Sequence, residues 1–187
     1  MTSINQTIES GGARPPAEIR VWDPLVRVFH WSLVILFVIA YATGDETERI
    51  HIAAGYAIAG LIALRIAWGI FGSRYARFNT FIRPPREVFA YLRGAALFKA
   101  RRYLGHNPAG GAMILALLAM LAGTCTTGYM MTLDAYWGSK LLEHVHEVLA
   151  NLIVALIAVH ILGVLIASLQ HRENLIKAML TGRKRAS

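Results

Sequence analysis

VHEVLANLIVALIAVHILGVLIASLQ, Val145 to Gln170, decides the fold. It is an apolar run with one ionised side chain, Glu147. A transmembrane helix needs roughly 20 mostly apolar residues to cross about 30 Å of hydrocarbon. No period-two alternation is present, so the run reads as a helix and not as a barrel strand. Three other stretches qualify on the same grounds. They are Leu25 to Thr43, His51 to Phe71 and Pro108 to Met131.

The composition agrees. The chain has 187 residues, 56% hydrophobic, with mean hydropathy +0.46 and only 16% charged. A typical soluble domain carries about 25% charged residues. The wealth of Leu, Ile, Val and aromatics excludes disorder. One cysteine, Cys125, excludes a disulfide scaffold, a Cys-ligated iron–sulfur cluster and a covalently attached c-type haem. The expected fold is an all-α integral membrane protein, a four-helix bundle in residues 21–187, preceded by a polar tail, 1–20. The tail has no apolar core, so it reads as a mobile or surface-lying segment and not as a signal peptide.

The net charge of +8 is explained by where it lies. Sixteen of the nineteen Lys and Arg fall in the tail and its edge, in the loop 72–107 and after the fourth span. The other two loops hold Arg49 and Lys140 beside Asp45, Glu46, Glu48, Asp134 and Glu143. The positive-inside rule then puts both termini in the cytoplasm. The basic residues read as topogenic and as contacts to anionic lipid headgroups, and not as a nucleic-acid surface. Within loop 72–107, Val88, Leu92, Ala95 and Ala96 recur at helical spacing after Pro84-Pro85, which suits either an interfacial helix or a plain basic loop. Asn107-Pro108 reads as an N-cap followed by proline at the first helical position.

Seven histidines is a high count for so few charges. An ionisable residue inside a span is a functional hypothesis, because its polar atoms need partners. His146 and His160 are 14 residues apart on the fourth span. That interval falls about 40° short of four turns, so both point to one face, about 21 Å apart along the axis. Given the topology, His51 matches His146 in depth at the outer end, and His30 matches His160 at the inner end. Two histidine pairs stacked along the membrane normal are what two bis-histidine haems require. Zinc, the main rival, normally takes four ligands, and these depths offer pairs. His144 points off the shared face and reads as an outer-interface residue.

Other residues keep two readings. Arg65 lies 14 residues after His51, at the depth of the inner pair. It either neutralises a haem propionate or snorkels to the interface. Gly55, Gly60, Gly110, Gly111 and Gly123 either admit a macrocycle or pack helices. Trp68, Tyr41, Tyr136 and Trp137 read as an aromatic belt. Glu147 is either an outer polar residue or a proton-handling group. His106, with Asn107, is either a quinone contact or a polar cluster at a helix start.

Four segments resemble the bacterial cytochrome b561 family. They are VWDPLVRVFHW around His30, RIHIAAGYAIAGLIALRIAWGIFGSRYARF from Arg49 through His51 to Phe78, YLGHNPAGG around His106, and HEVLANLIVALIAVH joining His146 to His160. SLQHRENLIKAMLTGRKR near the C-terminus is similar to the family as well. The resemblance is collinear from about Val21 onward. It implies a multi-pass protein of the bacterial inner membrane with two b haems, ligated by His30, His51, His146 and His160. It further implies electron transfer between the quinone pool and an outer partner, such as a periplasmic cytochrome c or a small oxidant like superoxide. The related b-type cytochrome subunit of nickel–iron hydrogenase shares the segments around His30 and His106. This keeps open a second reading, a membrane anchor for a hydrogenase or other dehydrogenase. A haem-free scaffold or transporter is the alternative of another class.

Overall fold

The computed structural model describes residues 18–44 and 47–186. Most of the tail 1–20, and Asp45 and Glu46, lie outside the described residues. Four helices are long and apolar enough to cross a membrane: α1 (Pro24–Thr43), α2 (Glu48–Phe71), α5 (Pro108–Met131) and α6 (Lys140–His171). Two shorter helices, α3 (Phe78–Phe81) and α4 (Pro85–Ala96), lie between α2 and α5, and α7 (Leu175–Thr181) follows α6. The start of α1, the end of α2, the start of α5 and the end of α6 share one side, here called the terminal face.

The caps explain the helix starts. Asp23 caps α1, its Oδ1 accepting from Val26 N at 2.9 Å, with Pro24 at the first position. Asn107 caps α5 in the same way, accepting from Gly110 N at 2.7 Å ahead of Pro108. Ser139 caps α6, which therefore begins ahead of the apolar run and extends to 32 residues. At 1.5 Å per residue this is about 48 Å, longer than the hydrocarbon is thick.

α1 packs on α2, α2 on α5, and α5 on α6. The shared core is Ile58 and Ile62 of α2, Leu121 of α5 and Ile153 of α6, with Leu36 and Phe37 of α1 against it. Many Val, Ile and Leu on these helices are exposed, as expected of spans whose outward faces meet lipid.

The loop 72–107 contains the helix α4, so the helical alternative holds there. It ends at Ala96, where Phe98 takes a positive φ of 54° and Lys99 N bonds back to Gly94 O at 2.8 Å. Trp68 does more than stand in an aromatic belt. Its Nε1 donates to Asp23 Oδ2 at 3.2 Å, and Ser73 Oγ donates to the same oxygen. One carboxylate thus starts α1 and ties it to the end of α2.

The end of the tail is also structured. Glu18–Arg20 forms β1, antiparallel to β2 (Arg183–Arg185), with Ile19 opposite Lys184. Gly182 makes the turn possible, because its φ is +79° and a Cβ there would sit 2.6 Å from Trp22 O. Glu173 fastens the ribbon. It is 8% exposed and accepts from Arg102 Nη2 at 3.0 Å and from Arg185 N at 3.2 Å, with Lys184 Nζ at 3.4 Å. Burial alone would raise its carboxyl pKa. The bond from Arg102 and the charges of Lys184 and Arg102 outweigh that and hold it below the ordinary value of 4.5. Its stabilisation is therefore complete above that value and is lost as pH falls through the depressed one. Hydrogen bonds to charged groups contribute about 1.5–3 kcal/mol. Glu173→Gln is expected to speed amide exchange in Arg183–Arg185 about tenfold or more at pH 7, while α5 and α6 keep their protection. Equal exchange in both proteins at pH 7 would show that the clasp contributes nothing.

Candidate cofactor site

His51 stands one turn into α2, and His146 two turns into α6. Their ring centres are 5.9 Å apart, with planes at 69°. His51 Nδ1 lies 2.8 Å from Ala40 O of α1. A carbonyl only accepts, so Nδ1 carries the proton and the Nε2 lone pair is free. His146 Nδ1 lies 3.0 Å from Thr127 Oγ1 of α5. That hydroxyl is also within reach of Thr124 O at 3.0 Å and Gly123 O at 3.2 Å. With its proton on a carbonyl it accepts from Nδ1–H, again leaving Nε2 free. A Cβ at Gly128 would lie 3.1 Å from His146 Cε1, so a glycine there gives the ring its room. All four long helices contribute to this level.

At the other level, His30 of α1 and His160 of α6 are close enough to interact electrostatically. His30 meets Trp31 edge-on at 5.1 Å, and its Nδ1 is buried with no partner among the described residues. The core of Ile58, Ile62, Leu121 and Ile153 lies between the two levels along the helices. The helices that bear facing histidines, α6 with α1 and α6 with α2, are not among the closely packed pairs of the described structure.

Arg65 does not snorkel. It is 3% exposed, donates from Nη2 to Ala76 O at 3.1 Å, and lies 5.0 Å from the Phe78 ring centre. Its Nη1 is buried without a partner among the described residues. The glycines divide. A Cβ at Gly111 would meet Phe81 O at 2.6 Å and one at Gly123 would meet Leu149 at 3.4 Å, whereas Gly55 and Gly60 have no neighbour within 4 Å of an added Cβ. His144 and Glu147 are exposed. Among the described residues, no three His, Cys, Asp or Glu side chains converge on one point.

His106 precedes α5 on the terminal face. Its ring packs against Trp22, at 4.5 Å, and Phe81, at 4.8 Å. Asn107 is committed to its cap. Sequence patterns did not single out the supporting groups Thr127 and Asp23. The hydroxyl-rich run Thr124-Cys125-Thr126-Thr127, at the depth of His146, was the available signal for the first.

The family model for prokaryotic cytochrome b561 matches residues 21–182. The chain belongs to that family. It is a b-type cytochrome of the membrane, with haem b as cofactor and electron transfer as its role, which removes the haem-free scaffold or transporter reading. Among curated proteins, a probable Ni/Fe-hydrogenase B-type cytochrome subunit of Bradyrhizobium diazoefficiens is 24% identical, over 89% of this chain and 85% of its own. A protein of the same description from Azotobacter vinelandii is 22% identical, over 96% and 95%. No solved structure gives a significant match.

In this cytochrome, burial, aided by the positive charges of Arg65 and Lys184, pushes the His106 pKa from 6.5 down to about 3. The unfolded chain therefore takes up a proton that the folded one refuses. Stability from this group is complete above about pH 6.5 and falls as pH drops toward 3. His106→Gln is expected to flatten the pH dependence of thermal unfolding between about pH 6.5 and 4.5. A variant with the wild-type slope would show that His106 is protonated in the fold.

Proposed function

We propose that this cytochrome carries two b haems. His51 and His146 would hold one, and His30 and His160 the other. The observation that carries the reading is the placement of two histidines on one face of α6, each with a partner from a different helix at its own depth. The free Nε2 atoms of His51 and His146 support it. Their ring centres stand only 5.9 Å apart although they come from two helices, which brings both imidazoles to one level. The acceptors on Nδ1 fix each ring and raise its basicity. Bound haem supplies one-electron reduction and reoxidation. The protein's part is to hold the imidazoles, exclude water through the aliphatic core, and balance charge.

Arg65 supplies that balance at the inner level. A buried guanidinium needs an anion, and its unpartnered Nη1 suits a haem propionate. The proposed path runs across the bacterial inner membrane, with the terminal face in the cytoplasm. It joins an outer-side redox partner, such as a cytochrome c or a small oxidant, to the quinone pool. The two curated relatives favour a second reading, a membrane subunit passing electrons from a hydrogenase. Co-purification with a nickel or iron–sulfur partner separates the two.

Haem content tests the first reading. The wild type is expected to bind two haems per chain. His51→Ala and His160→Ala are each expected to remove a different one, and the double variant to be colourless. A double variant that keeps its haem would overturn the assignment. Thr127→Val is expected to weaken retention at the outer level by about 10–100-fold, the usual cost of losing such a support. Arg65→Leu is expected to lower the midpoint potential of one haem, because a nearby positive charge favours the reduced state, and Arg65→Lys to restore it. Equal potentials in all three proteins would remove Arg65 from the site.

A further inference from the structure

A cavity of about 300 Å³ opens on the terminal face. It lies between the segment that joins α2 to α4 and the segment that leads into α5. Arg74, Tyr75, Asn79, Arg83, Tyr103 and His106 are in its wall, and no carboxylate is. Arg74 lies 5.9 Å from the Tyr75 ring centre, a stacking that orients its guanidinium. Arg83 makes one long bond, from Nη2 to Thr80 O at 3.4 Å. Neither arginine has a carboxylate partner among the described residues. The donor set is therefore two guanidiniums, an amide and two phenols, all suited to an oxyanion. Its position, level with the ends of the spans, is headgroup depth.

We propose that this cavity binds a phosphate group, supplied by the headgroup of an anionic phospholipid. Arginine forks match phosphate oxygens in pairs, and basic pockets at the ends of membrane helices take such headgroups. A zwitterionic headgroup offers the same phosphate but brings its own cation, which the two guanidiniums repel. The inference is independent of the haem ligand assignment, because none of the four paired histidines lines the cavity.

Native mass spectrometry of the delipidated, haem-loaded protein tests it, with phosphatidylglycerol and phosphatidylcholine titrated in turn. The wild type is expected to retain one phosphatidylglycerol at least about tenfold more tightly than phosphatidylcholine, since each surface arginine favours anionic lipid. Arg74→Gln with Arg83→Gln is expected to abolish the preference while keeping the haem spectrum. Arg86→Ala with Arg93→Ala, on the same face but outside the cavity, is expected to keep it. Equal retention of the two lipids by the wild type would overturn the proposal, and so would equal loss in both variants, which marks a general basic belt. Displacement by millimolar inorganic phosphate alone would assign free phosphate and overturn the lipid source. Displacement by a soluble quinone analogue would assign the cavity to quinone and overturn it too.

Discussion

A polar ring nitrogen inside a bilayer must find its partner within the protein, because lipid offers none. This constraint organises the bundle. At the end of the bundle away from the terminal face, His51 uses a carbonyl of α1 and His146 a hydroxyl of α5. Two imidazoles from two helices thereby engage all four. The carbonyl at Ala40 is available for this because it lies in the last turn of α1, where carbonyls run out of intrahelical donors. The placement of this histidine pair therefore depends on where α1 stops.

The terminal face obeys the same rule with stronger charges. Asp23 takes the first amides of α1, the indole of Trp68 and the hydroxyl of Ser73. Glu173 takes Arg102, Lys184 and a strand amide. Each carboxylate joins segments distant in sequence, and each is held ionised by donors that outweigh its burial. The loop 72–107 is thus anchored to both ends of the described chain, with Trp22 and Phe81 both brought against His106.

The spans, their order and the histidine depths were legible in sequence because each follows from hydropathy, helix pitch and direction of crossing. The cap at Asn107 and Pro108 was legible because its signal is local. The ribbon Glu18–Arg20 with Arg183–Arg185 was not, since two strands so short and so rich in charge carry no alternating apolar pattern. Arg65 kept two readings because a helical wheel gives depth and direction but not what covers the side chain. The folding of Phe78 and Ala76 over it removes the route to water. Thr127 shows the same gap. A threonine in a helix most often bonds its own backbone, as this one also does, and only the neighbouring helix reveals its second partner.

The two levels differ in how complete they are. The imidazoles of His51 and His146 have their Nδ1 partners in the protein, so their rings are fixed by the fold itself. At the level nearer the terminal face, His30 Nδ1 and Arg65 Nη1 are both buried and unpartnered among the described residues. Unsatisfied buried polar groups cost about 1–3 kcal/mol each, and more when charged. The level of His30 therefore gains more from whatever satisfies those atoms, while that of His51 and His146 stands preorganised. Preorganisation at one end and ligand dependence at the other follow from a single difference. Ala40 and Thr127 stand beside His51 and His146, and no such acceptor among the described residues stands beside His30.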